Sequence, residues 1–413
     1  MNLKEFIRHP DWLSLLVAFI AVNNVVAITV SFGTPYYIFM FCILVACLIK
    51  GGIREVNPAG IFFFVAIILS IITNNIPDEY RPWLKFITLL ILILLIGPIL
   101  GSARLYHLRI NAFNLVFIFL QPVIILSFIG YILGIAFTSR HDFAGIMVHS
   151  MVLGPTSGIL TIYCCYRILS VKTITIRCYY IGLMLMSFLT MMLSASRGAF
   201  LATSFAILIF VLLKTKFRGA SIIQWAVLCG LAILATSNLW MPYTNGLVKK
   251  NDANIAAGGM TNSREVHWRH RIEEFKSSPI FGIGFSRVFD YEEATPWWYN
   301  RFTQANMLNA KEDSIFQAKS VEPGSSWLAV LSMTGILGFV CFIYFFINAI
   351  RELNFWKRRN RSYFILCAAM LAFWSVHMLF EGYALNAGGF LFFNLWLLLG
   401  VINAMAHQRS PMP

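Results

Sequence analysis

Arg197 lies in the turn Leu193-Ser194-Ala195-Ser196-Arg197-Gly198-Ala199-Phe200, between two apolar stretches of spanning length. A charge costs about 2–3 kcal/mol near a bilayer centre and less at its edge. Such an arginine can snorkel to lipid phosphates or grip an anionic substrate, which its small neighbours would let come close. A planar guanidinium suits bidentate phosphate recognition. A second cationic group lies in Asn262-Ser263-Arg264-Glu265-Val266-His267-Trp268-Arg269-His270-Arg271-Ile272-Glu273-Glu274-Phe275. This stretch reads as a helix with Ser263 as its N-cap. Arg264, His267, Trp268 and Arg271 fall at i, i+3, i+4 and i+7, hence on one face. That face suits either a membrane surface or a clamp for an anion. The turn Ser278-Pro279-Ile280-Phe281-Gly282-Ile283-Gly284-Phe285 follows. Its glycines permit close backbone approach, but it is no dinucleotide fingerprint.

Carboxylates and aromatic rings join these cations. Glu322 precedes Pro323-Gly324-Ser325-Ser326-Trp327, where Pro323 and Ser325 read as helix-start chemistry. A carboxylate there is held ionised by the helix dipole and suits a base or an anchor for a sugar hydroxyl. His377-Met378-Leu379-Phe380-Glu381-Gly382-Tyr383 brings a histidine and Glu381 to the end of another span, with Tyr383 as a further ring for sugar. Arg140, His141 and Asp142 stand before a span that contains His149. Trp297, Trp298 and Tyr299 offer faces for sugar rings or form an interfacial belt. No metal-ligand spacing stands on this side of the chain, so neither a divalent ion nor another cofactor is expected. The eight cysteines lie in apolar segments and read as packing residues.

The elements that must position these groups are membrane spans. The chain is 59% hydrophobic and 12% charged, far from a soluble domain's quarter of charged residues. Twelve apolar segments of spanning length lie near 13–32, 36–50, 58–74, 83–101, 112–137, 145–169, 176–195, 198–213, 220–237, 324–350, 362–380 and 386–406. The first reads as a retained helix, because no small-residue cleavage site follows it. Lys50, Arg54, Arg104, Arg109, Arg167, Lys172, Arg177, Lys214, Lys216, Arg218, Arg351, Lys357, Arg358, Arg359 and Arg361 all fall in loops on one side. This asymmetry puts both termini in the cytoplasm and the polar interval 238–322 outside. It also accounts for most of the net charge of +14 without nucleic acid. The expected organisation is spans one to nine in 1–237, a periplasmic loop domain with short amphipathic helices in 238–322, and spans ten to twelve in 323–413.

Together the Ser-Arg-Gly-Ala turn at 196–199, Arg264 ahead of Ser278–Gly284, the start of span ten, and Phe380-Glu381-Gly382-Tyr383 with Gly388-Gly389 resemble the O-antigen polymerase and ligase superfamily. The resemblance covers roughly residues 140–400 and the layout of twelve helices with a large external loop between helices 9 and 10. It implies an all-α polytopic membrane protein of GT-C type, a bacterial inner-membrane glycosyltransferase acting on polyprenyl-diphosphate-linked glycans. Membrane lipid and a chain-length regulator protein would be its partners. Arginines matching Arg197 and Arg264 grip the diphosphate in that family; Arg271 and Arg140 would extend the clamp here. Glu322, Glu381 or His267 would serve as base. Ligases of the superfamily carry a histidine where this chain has Gly324, with Gly335 and Gly338 in place further on. This favours a polymerase over a ligase. A transporter of an anionic or lipid-linked solute is a reading of another class, and would call for broken helices and midplane charges.

Overall fold

The computed structural model describes residues 11–27, 32–134, 138–139, 142–215, 262–287, 324–357 and 360–407; for 79, 138–139, 142 and 262–266 it describes the backbone alone. Twelve helices are found among the described residues. They are α1 (Trp12–Asn23), α2 (Thr34–Gly51), α3 (Pro58–Thr73), α4 (Pro82–Ile96), α5 (Ala103–Ile132) and α6 (Ser150–Ser170). There follow α7 (Ile174–Leu193), α8 (Arg197–Lys214), α9 (Asn262–Ser277), α10 (Ser326–Trp356), α11 (Arg361–His377) and α12 (Phe390–His407). Seven of them, α2, α5, α6, α7, α8, α10 and α12, are long and apolar enough to cross a membrane. The protein is an all-α, multi-pass membrane protein. Strand pairing among the described residues is limited to Glu55–Val56 with Leu100–Gly101, Thr138–Ser139 with Asp142–Phe143, and a single bridge between Val26 and Met147.

Local sequence sets the helix starts. Pro35, Pro58 and Pro82 stand in first turns, where a missing N–H costs nothing. Asn57 caps α3 by accepting from the Ala59 N–H at 3.0 Å. Large apolar side chains such as Ile38, Phe62, Ile72 and Leu185 are exposed, as spans facing lipid require. The inward faces meet around α12, which is buried along nearly its whole length. There Trp396 packs against Phe63, Phe342, Phe345 and Phe392.

Eleven of the twelve expected spans correspond to helices; the ninth, 220–237, lies outside the described residues. Two boundaries are corrected; span one ends at Asn23, well short of 32. Span five begins at Ala103, so Arg109 sits inside α5 and is fully buried, where a loop charge was expected. Its guanidinium donates to the carbonyls of Leu94, Leu95 and Leu100 at 2.9–3.0 Å. Helix α4 ends there at Gly97-Pro98, leaving terminal carbonyls that need donors, and the arginine supplies them. The loop helix is also found, but it starts at Asn262, so Ser263 lies within it rather than capping it.

Helix α10 is broken. Gly335 adopts φ +65°, ψ −170°, outside the helical region. The Ile336 N–H, which would bond Ser332 O in a continuous helix, donates instead to Pro279 O at 2.9 Å. Ser332 O is taken by the Ile283 N–H, also at 2.9 Å. Residues 279–283 thus supply both halves of the helical bond they displace. Only glycines fit this crossing: a Cβ on Gly335 would lie 2.1 Å from Ile280 O, and one on Gly282 2.5 Å from the Met333 carbonyl carbon. Ser70 and Asn74 of the α3 end fasten the crossing by bonding Met333 O and Gly282 O.

Candidate active site at the α10 mouth

The site is assembled where α8 and α10 begin and α11 ends. The connector 378–389, between α11 and α12, is sewn to the first residues of α10. The Ser326 N–H donates to Met378 O at 2.9 Å and Glu381 O at 3.0 Å. Its hydroxyl donates to Glu381 O at 2.7 Å and accepts from the N–H groups of Tyr383 and Ala384. Ser325 caps the helix at Leu328 and donates to Met378 O at 3.1 Å. Glu381, partly buried, is thereby held by its main chain at the α10 N-terminus. The Tyr383 ring is buried against Trp374, with its hydroxyl 3.1 Å from His377 Nδ1. Burial pushes its phenol well above the ordinary range, with the Glu381 carboxylate adding to the effect. Expected as a face for sugar, Tyr383 is only 5% exposed and holds the connector from within.

Helix α9 closes the group from above. The Trp268 indole N–H donates to Leu379 O at 3.1 Å, and its ring centroid lies 6.3 Å from that of Phe380. Phe380 in turn packs on Gly198 in the first turn of α8, where a Cβ would lie 3.0 Å from the phenylalanine Cβ. On its other side α9 brings His267 over the α10 mouth. Gly324 has φ +73°, and a Cβ there would be 2.5 Å from the His267 Cβ. A continuous chain of contacts therefore runs from the α8 start through Phe380 and Trp268 to His267 and Gly324. It gathers the exposed Arg197 and the half-buried Glu381 and His267 at one end of the bundle. It also puts an imidazole at the position where the chain itself carries glycine.

Arg271 is placed differently from the other cations. It is 3% exposed, pairs with the fully buried Glu274 at 2.8 Å, and reaches the Ser332 hydroxyl at 3.4 Å. Removing one partner of such a pair typically costs about 3–5 kcal/mol, so its guanidinium is committed within the protein. Arg264 lies on α9 at i−3 from His267; its side chain is among those not described. Arg140, Glu322, Trp297, Trp298 and Tyr299 lie outside the described residues. Among the described residues, no group of three or more His, Cys, Asp or Glu side chains is arranged to hold a metal ion. Sequence reasoning missed Ser326 and Ser332, common residues whose partners are distant in the chain, and Glu274, whose partner Arg271 is only one helical turn away.

Residues 182–343 match the family model described as O-antigen ligase. The resemblance to the O-antigen ligase and polymerase superfamily therefore holds for this region. It runs from α7 through the Arg197 turn, α8 and α9 to just beyond the α10 break, and so takes in most of the site. Glu381 and the connector lie past its end. No curated protein matches the chain. The match supports a membrane enzyme acting on lipid-linked glycans.

Proposed function

We propose that the protein polymerises polyprenyl-diphosphate-linked oligosaccharide repeat units at the periplasmic face of a bacterial inner membrane, by inverting glycosyl transfer without a metal ion. What carries this reading is the gathering of Arg197, His267 and Glu381 around the α10 mouth, within a region matched by the O-antigen ligase family. As the anomeric C–O bond breaks, negative charge grows on the leaving diphosphate. Arg197 and Arg264 stabilise it, helped by the α8 N-terminus. Glu381 or His267, or Glu322 just ahead of the mouth, takes the proton of the acceptor hydroxyl, a contribution of typically about 10²–10⁴-fold. The tryptophans and tyrosine at 297–299 offer stacking faces for the glycan. A chain-length regulator in the same membrane is a fitting partner.

Ligation of finished glycan to lipid A core is the second reading, favoured by the description of the matching family. The His267 imidazole at Gly324 suits it as well, since a base then stands where the ligase histidine would be. A strain lacking the gene separates the two. Polymerase loss leaves core carrying a single repeat; ligase loss leaves bare core and a pool of lipid-linked polymer. Transport has one structural feature on its side, the break in α10. The backbone groups at that break are bonded to residues 279–283 and to Ser70, so it is filled by the chain itself.

A further inference from the structure

Helix α9 turns a stripe at i, i+4 and i+7 inward: His267, half-buried against Gly324, then the buried Arg271 and Glu274. The opposite side carries Arg269, Ile272, Glu273 and Lys276, all exposed. Burying two full charges on so polar a helix is costly, and their 2.8 Å pairing offsets part of that cost. The neutral pair lies beside Ser332, whose hydroxyl meets Arg271 and whose carbonyl is the helical acceptor captured by Ile283. One residue of α10 therefore holds both the helix and the crossing that follows it.

We propose that Arg271 and Glu274 are positioning residues, whose buried pair keys α9 to Ser332 beside the α10 break and thereby sets where Arg264 and His267 meet the substrate diphosphate. The part concerning substrate rests on the proposed glycosyl transfer; the keying does not. A cation that ligated diphosphate would have to leave Glu274 and strand a buried carboxylate. Without Glu274, the buried guanidinium loses its 2.8 Å carboxylate partner, which weakens the seat of α9 on α10. Either loss moves His267 from the mouth, and displacements of about 1 Å can cost about a hundredfold in rate.

The test uses Arg271→Met and Glu274→Gln singly, and the double variant Arg271→Met with Glu274→Leu, which replaces the pair by apolar side chains. Hydrogen exchange across 262–277 is read in the purified full-length protein. Polysaccharide length is read on gels from cells carrying each variant in place of the native copy. Each single variant should speed exchange in α9 with α11 unchanged, and reduce polymer about a hundredfold; the double should restore both. A double variant with restored protection but no polymer would make Arg271 a ligand and overturn the proposal. Single variants with unaltered exchange in α9 would overturn it as well, whether or not the cells make polymer. Should the double variant fail to accumulate, Ser332→Ala decides: faster exchange across 262–277 supports the keying, and unchanged exchange contradicts it.

Discussion

Arg197 and Arg264 are both arginines, and that choice is informative because a planar fork can engage two phosphate oxygens where an ammonium is a point charge. Alanine at either position should abolish long polysaccharide while leaving membrane insertion intact, as read on gels and in membrane fractions. Lysine at 197 should also impair it. His270 supplies a pH dependence. Burial holds its imidazole below the usual range, against the pull of Glu273 and Glu274 and with Arg269 and Arg271 disfavouring the charge. An undocked helix therefore binds the proton more readily, so docking is favoured above the ordinary imidazole pKa and is lost progressively as pH falls below it through the lowered one. Exchange in 262–277, corrected for its intrinsic rate, should speed up as pH falls below about 6.5; His270→Gln should flatten that response. The candidate residues were legible from type and spacing alone: cations and carboxylates in loops beside apolar spans. The fate of Arg271 was not. Nothing in a 3.6-residue pattern tells whether the face holding Arg264, His267 and Arg271 is turned outward or to α10; the fold lays His267 over Gly324 at the α10 mouth and locks Arg271 against Glu274 and Ser332.

At the scale of elements, the spans were read from hydropathy because lipid demands about 20 apolar residues per crossing. The same window misplaced the start of α5, since a buried Arg109 that caps another helix scores as a loop residue. It was also blind to the α10 break, because Gly335 sits inside a segment whose mean hydropathy stays high. That break depends on glycine. Gly335→Ala would force a side chain into φ +65° and against Ile280 O; left-handed strain alone costs of order 1–3 kcal/mol. The variant should lower the melting temperature and release α9, seen as faster exchange in 262–287. Gly324→Ala is a milder version of the same test at the mouth. Its Cβ would displace His267, so activity should fall as far as in His267→Ala, with the spans unaffected in thermal unfolding.

At the scale of the molecule, lipid-facing helices surround the buried α12, and the ends of α8, α10 and α11 are tied together by the connector and capped by α9. The all-α, multi-pass character was plain in the sequence because it follows from composition. The assembly of the mouth was not, because Ser326 meets Glu381 and Trp268 meets Leu379 across 55 and 111 residues. The central claim is that this mouth transfers glycan from polyprenyl diphosphate. The most direct measurement supplies purified full-length protein, reconstituted in vesicles, with a synthetic polyprenyl-diphosphate-linked repeat unit and resolves the products by length. The account predicts a ladder of lengthened lipid-linked products that persists with a divalent-ion chelator and disappears in Arg197→Ala. Unlengthened substrate from folded wild-type protein, or a ladder undiminished in Arg197→Ala, would contradict it.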